Sequence, residues 1–269
     1  MRYQLKSNIV KGALLAALCT VVLSPSLALA DAKGLKIATR SDNIDNGFRD
    51  SVVTANMILT NAAGRTSKRK MTLVTLERTS SKVGDKSISV FQSPKDIKGI
   101  AVLSHAKLKK NDDQWIYLPA AKRVKRISSS NKSGPFVGSE FAYEDITAQE
   151  VGKFSYTFMK TEKCSGGTCD VVTRVPLYKN SGYSKQITWI GQKNALVHRI
   201  DFYNRSGSLA KRLTYTGYKR YSGFYRPSKM TMVNLRNKKK TVLSFSNYKF
   251  KTGLSDRDFR SGGLKNLKW

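Results

Sequence analysis

The side chains able to do chemistry in this 269-residue chain are few and scattered. Its two histidines, His105 and His198, could act as bases, activate a nucleophile or bind a metal. His105 follows Ser104, and His198 precedes Arg199 with Asp201 nearby, but neither spacing makes a triad or a metal site. His198 alternates with Leu196 and Ile200, which reads as a position on a sheet face. Glu140, Glu144 and Asp145 could share acid and base work in a hydrolase. In a loop, such carboxylates more often cap a turn or meet neighbouring Lys and Arg. No phosphate-binding Gly-rich motif is present. The reading is a non-enzymatic protein with no cofactor and no catalytic or metal residues.

The N-terminus places the chain outside the cytoplasm. Arg2, Lys6 and Lys11 precede an apolar run from Ala13 to Leu23, then Pro25 and Ala28-Leu29-Ala30. This is the order of an export signal, and the run is short of the roughly 20 residues of a bilayer span. The mature chain should begin near Asp31, so 1–30 is expected to be a signal peptide and 31–269 a single domain. Cys19 belongs to the signal, and no lipobox-like cleavage point follows it. Cys164 and Cys169 remain, across a Ser-Gly-Gly-Thr turn, and in an oxidising compartment they are expected to form a local disulfide that pins a hairpin.

The formal charge is +31, and the signal removes three basic residues and no acidic ones, leaving +28. Such a charge ordinarily suggests nucleic acid. Export argues against that, as does the scatter of basic residues among strand-forming ones, so no nucleic acid is expected. The alternatives are a solvated basic surface or affinity for an anionic membrane surface.

A weak helical stripe covers Gly34 to Arg49, and strand patterns dominate thereafter. They run over 53–59, 70–77, 87–91, 99–103, 115–118, 124–128, 154–159, 185–190, 196–203, 209–218, 229–235 and 241–250, with turn-like separators between them. A large antiparallel meander follows, and its apolar face needs a cover. The early helix and the Ser128 to Gln149 region are the segments free to provide it. The expected fold is mainly β with a few helices: a curved antiparallel sheet roofed by helices and loops.

In strand 115–118, Trp115 and Tyr117 share one face while Ile116 and Leu118 share the other. The aromatic pair is the candidate cavity wall, with Trp189 as a further candidate. Phe136, Phe141 and Tyr143, between Gly134, Gly138 and a helix-like 143–150, are candidate lid or gate residues. Arg123, Lys125 and Arg126 are candidate head-group or partner contacts, although in a strand Lys125 faces away from its neighbours.

Several segments carry a family resemblance. They are Phe91-Gln-Ser-Pro-Lys-Asp-Ile-Lys-Gly99, Asp112-Asp-Gln-Trp-Ile-Tyr-Leu-Pro119, Arg123-Val-Lys-Arg-Ile-Ser-Ser-Ser130 and Gly138-Ser-Glu-Phe-Ala-Tyr-Glu-Asp145. Tyr225-Arg-Pro-Ser-Lys-Met230 and Thr252-Gly-Leu254, with Phe259 close behind, continue the match. Together they resemble the LolA-like family of outer-membrane lipoprotein-sorting proteins, in the branch associated with RND-type exporters. The resemblance implies a strongly curved, incomplete barrel with helices over an apolar cavity. It implies a monomeric periplasmic carrier of a lipid or acylated protein, with an inner-membrane RND-type exporter as a possible partner. The chain is longer and more basic than the lipoprotein carriers of that family. A non-enzymatic adaptor for the exporter, without cargo of its own, is the alternative.

Overall fold

The computed structural model describes residues 31–77, 83–165 and 167–267; the expected signal peptide lies outside them. A single α-helix, α1 (Ala32–Asn43), opens the described chain. Asp31 caps it by accepting the Gly34 amide, and its other carboxylate oxygen accepts the Phe158 amide at 2.7 Å. Gly34 is required by contact, because a Cβ there would lie 2.9 Å from the Phe158 nitrogen. α1 stops short of the expected Arg49. Gly47 turns the chain at φ +92°, and Phe48 is buried away from any helical stripe.

The rest is β structure. The strands are β1 (Asp50–Thr60), β2 (Thr66–Leu76), β3 (Lys86–Ser93), β4 (Ala101–His105), β5 (Asp113–Leu118) and β6 (Arg123–Ile127). After short 3-10 turns come β7 (Phe154–Cys164), β8 (Gly167–Pro176), β9 (Tyr183–Gly191), β10 (Val197–Asn204), β11 (Leu209–Tyr221), β12 (Phe224–Asn234) and β13 (Lys240–Phe250). β8 was missed by sequence reading. The Cys164–Cys169 disulfide closes the turn between β7 and β8, as expected.

All thirteen strands form one sheet in the order β6-β5-β4-β3-β2-β1-β13-β12-β11-β10-β9-β8-β7. It consists of two antiparallel meanders, joined where β1 pairs with β13. The chain walks outward from β1 to β6, crosses through residues 128–153 to the opposite edge, and walks back. The expected strongly curved, incomplete barrel is therefore corrected: β6 and β7 are opposite edges of an open sheet that is neither closed nor strongly curled. A sheet closes to hide an apolar face, and here local segments hide both faces instead.

On one face, Met57, Met71, Phe91, Phe202, Leu213 and Met232 form a cluster filled by Phe136 and Phe141 from the crossover. The same face continues under α1, where Ile37 and Ala38 meet Phe154, Tyr156, Val172 and Ile190. On the reverse face, Val74, Ile88, Val90 and Leu103 are covered by Phe259 and Leu264 of the C-terminal 3-10 turns. Each is a position of strict alternation, which is why neighbouring residues such as Ala101 and Val102 fall in different clusters.

Candidate functional site

The crossover residues expected as a lid or gate are buried against the sheet as a plug. Phe136 and Phe141 are both 0% exposed, and the Phe136 ring packs at a tilt against Phe91 at 5.8 Å and edge-on to Tyr143 at 5.7 Å. A tight turn with φ +76° at Gly138 folds the segment on itself, the Phe136 amide donating to the Phe141 carbonyl at 2.7 Å. In place of the helix expected over 143–150 there are only short 3-10 turns, Tyr143–Asp145 and Val151–Lys153.

Polar contacts rivet the plug along its length. Glu144 accepts from the Tyr178 hydroxyl at 2.9 Å, the Ser181 hydroxyl at 2.8 Å and the Gly182 amide at 2.8 Å. Asp145 accepts from the Ala142 amide at 2.7 Å and the Tyr183 hydroxyl at 2.9 Å, and burial pushes its carboxyl up to about 6. Glu140 accepts from the Asn234 amide group at 2.7 Å. The acidic trio is thus structural.

The expected cavity residues do not converge. Trp115 and Tyr117 lie on the reverse face with Phe259 and Leu264, while Ile116 faces the plug. Trp189 sits in a third place, packed on Cys169, with its indole N–H donating to Glu162 at 2.6 Å and the Arg199 guanidinium 4.0 Å above its ring. Phe136, Phe141 and Tyr143 stay together but form filling rather than an opening. Arg123, Lys125 and Arg126 are all exposed on the edge strand β6. Arg123 and Lys125 share one face and Arg126 takes the other, paired with Asp113.

The histidines are equally inert. The His105 ring nitrogen lies 2.7 Å from the Phe259 carbonyl oxygen, tying down the C-terminal turn, and the ring meets Trp115 edge-on at 5.0 Å. His198 is buried, and its Nε2 has no partner. Burial lowers the pKa of both. Among the described residues no group of three or more His, Cys, Asp or Glu could hold a metal ion, and no helix is long and apolar enough to cross a membrane.

Space remains beside the plug, under α1, where a cavity of about 310 Å³ opens. Tyr156, Val172, Ile190, Val197, Ile200 and Tyr215 line it from β7 to β11, and Ala38, Ser41 and Phe48 roof it. Burial pushes the Tyr156 and Tyr215 hydroxyls up to about 12, so this lining is uncharged. Asp42, Asp45, Asp85, Glu150 and Arg174 add charge to the wall. The volume lies at the lower end of the roughly 300–1,000 Å³ of small-molecule sites. Sequence reading missed this site because β8, which supplies Val172 and Arg174, was not recognised. Its Val171-Val-Thr-Arg-Val175 run beside the disulfide turn was the available signal.

The roof is held at both ends. Its N-terminus is pinned to β7 through Asp31, and in its last turn the Ser41 hydroxyl donates to the Ala195 carbonyl at 2.7 Å. Beyond its C-terminus, Asp45 pairs with Arg226, whose guanidinium sits 5.2, 5.7 and 5.4 Å from the rings of Phe48, Phe224 and Phe250. Surrounding protein pushes Asp45 up to about 6 despite Arg226, although its side chain is more than half exposed.

A family model described as an uncharacterized protein matches residues 84–266. An outer membrane lipoprotein-sorting protein domain from Vibrio parahaemolyticus is 44% identical, over 87% of this chain and 98% of its own, with a TM-score of 0.83. A DUF1329 family protein from Desulfovibrio piger is 29% identical, over 88% and 99%, with a TM-score of 0.82. A LolA superfamily protein from Nitrosomonas europaea shares the fold at 20% identity, over 84% and 97%, with a TM-score of 0.68. No curated protein matches the chain.

Proposed function

Because the chain belongs to the LolA-like family of outer-membrane lipoprotein-sorting proteins, we propose that it is a non-enzymatic periplasmic carrier that shelters an acyl chain in the cavity under α1. The observation that carries this reading is the apolar lining of Val172, Ile190, Val197 and Ile200 beneath a helical roof. Each methylene buried there contributes about 0.8 kcal/mol, so one chain binds without a specific polar contact. The cavity is small, so a longer chain or several chains would need the roof to lift. No nucleotide site is recognisable in the sequence, and release falls to a partner or to motion of α1.

In this reading residues 1–30 direct export, 31–269 act as one monomeric domain, and the cargo is a lipid or an acylated protein. The exposed Arg123, Lys125 and Arg126 on the edge strand suit an anionic membrane surface or a protein partner, an RND-type exporter being the candidate that the resemblance supplies. Lipid extraction and mass spectrometry of protein purified from the periplasm tests the carrier, followed by acyl-ligand titration of delipidated protein. Co-purified lipid and saturable binding are expected; protein that carries none and binds none would refute it. One observation favours the adaptor alternative: Phe136 and Phe141 already fill much of the same sheet face.

A further inference from the structure

Between Asp201 and Asp256 the chain runs for 54 residues without an acidic side chain, and 13 of them are Lys or Arg. This stretch supplies β11, β12 and β13. At one end of these strands the charge is interleaved with aromatic rings. The β11–β12 hairpin also outgrows the sheet there. β11 pairs with β10 no further than Thr214, and β12 pairs with β13 only from Lys229 onward. Residues 215–228 therefore hold a ladder only with each other, up to the turn at Ser222 and Gly223.

At that end Tyr221 packs on Tyr248 at 4.7 Å, Phe224 on Phe250 at 5.3 Å, and Tyr248 stacks on Phe250 at 6.0 Å. These four rings are half-buried, and Tyr225 beside them is 50% exposed. Lys219, Arg220, Lys249 and Lys251 are exposed, and none pairs with a carboxylate among the described residues. The carboxylates nearby are already committed. Asp45 pairs with Arg226, and Asp50 accepts from the Thr252 and Gly253 amides at 2.6 and 3.3 Å.

Charge alone would serve any anion, and the rings narrow the choice. Aromatic side chains held half out of water suit the boundary between head groups and acyl chains, while cations beside them meet lipid phosphates. A docked acidic protein would need matched relief, whereas a fluid bilayer accepts a projecting turn. We propose that the end of the β11–β12 hairpin, with the end of β13, docks the protein on an anionic bilayer. Phe224 meets Phe48 edge-on at 6.3 Å and Arg226 holds Asp45, and both Phe48 and Asp45 line the cavity under α1. Docking thus brings that cavity next to lipid. The proposal goes beyond the carrier reading and needs no cargo. It assigns the membrane contact to this end of the sheet rather than to the cations of β6.

Vesicle co-sedimentation of protein purified from the periplasm tests it, with vesicles of phosphatidylcholine and vesicles of equal parts phosphatidylcholine and phosphatidylglycerol. Binding to the second and not the first is expected, weakening as salt is added. Replacing Lys219, Arg220, Lys249 and Lys251 together by Gln should weaken it about tenfold or more. Replacing Lys122, Arg123, Lys125 and Lys265 by Gln removes as much exposed charge around β6 and should cost about threefold at most. Tyr225→Trp places a reporter at an exposed position, and brominated acyl chains should quench it more than the tryptophans of the unaltered protein. Equal losses in the two fourfold variants would make binding a property of total charge and overturn the proposal. So would the absence of binding or of any preference for the anionic vesicles. An unquenched Tyr225→Trp reporter on vesicle-bound protein also overturns it, and would assign the patch to an acidic protein. Acyl-ligand titration is separate from all of these outcomes, so the carrier reading stands or falls on its own.

Discussion

Lys153 and Asp112 form an ion pair at 2.7 Å with side chains only 3% and 6% exposed, linking the end of the crossover to the residue just before β5. Thr147 donates to the same carboxylate at 2.8 Å, the Lys107 amide does so at 2.9 Å, and Lys132 donates to the Asp112 carbonyl. Asp112 therefore gathers three points of the crossover, Thr147 and Lys153 through its carboxylate and Lys132 through its carbonyl.

Removing Asp112 strands Lys153 in a dry site. Asp112→Ala should lower unfolding stability by about 3–5 kcal/mol, whereas Asp112→Asn with Lys153→Met should recover much of that loss. Urea denaturation of the two variants compares them directly, and equal losses would contradict a pairwise role.

If the crossover is packed filling, its aromatic residues should behave as core. Phe141→Ala and Phe136→Ala should each cost about 3–5 kcal/mol. A gate that opens freely would lose little stability on the same change, so thermal and denaturant unfolding separates the two roles.

Asp145 supplies a pH test. Its folded pKa of about 6 stands above the ordinary 3.8 because burial disfavours the charged form. Between about pH 4 and 6 the folded state then binds more protons than the unfolded one, so this group makes stability fall as pH rises through that window. Asp145→Asn should flatten the corresponding part of the stability profile relative to the unaltered protein. An identical slope in both would refute the assignment.

Arg226 clamps the exit of α1 through Asp45 and three aromatic rings. Arg226→Gln should loosen the roof, raising the association rate of an acyl probe several-fold in stopped-flow measurements while the fold persists. Unchanged kinetics would mean that ligands enter elsewhere.

The disulfide should matter little to overall stability. Cys164 and Cys169 are five residues apart, and closing so short a loop contributes about 2 kcal/mol at most. Replacing both by Ser should leave a folded protein whose loosened hydrogen exchange is confined to the β7–β8 hairpin.

Most of the β structure was legible from alternation alone. β1 through β7 and β9 through β13 coincide with period-two runs, because each strand has one covered side. α1 was read too long because the stripe of Ile37, Ile44 and Phe48 ignores the turn at Gly47. The crossover was read as a lid because Ser, Gly and aromatic residues mark a loop, while its anchors lie far away in sequence: Tyr178, Ser181, Tyr183 and Asn234.

Alternation in the sequence established that Trp115 and Tyr117 oppose Ile116 and that many antiparallel strands follow one another, while the family resemblance came from the motifs, not from alternation. It could not tell which side of β5 would meet the crossover, nor that β6 and β7 would remain apart as edges. Those outcomes depend on contacts between distant segments, the crossover and α1 on one face and the C-terminal turns on the other. Only the assembled sheet set the plug beside an empty space and brought Arg174, Thr188 and four carboxylates to its wall.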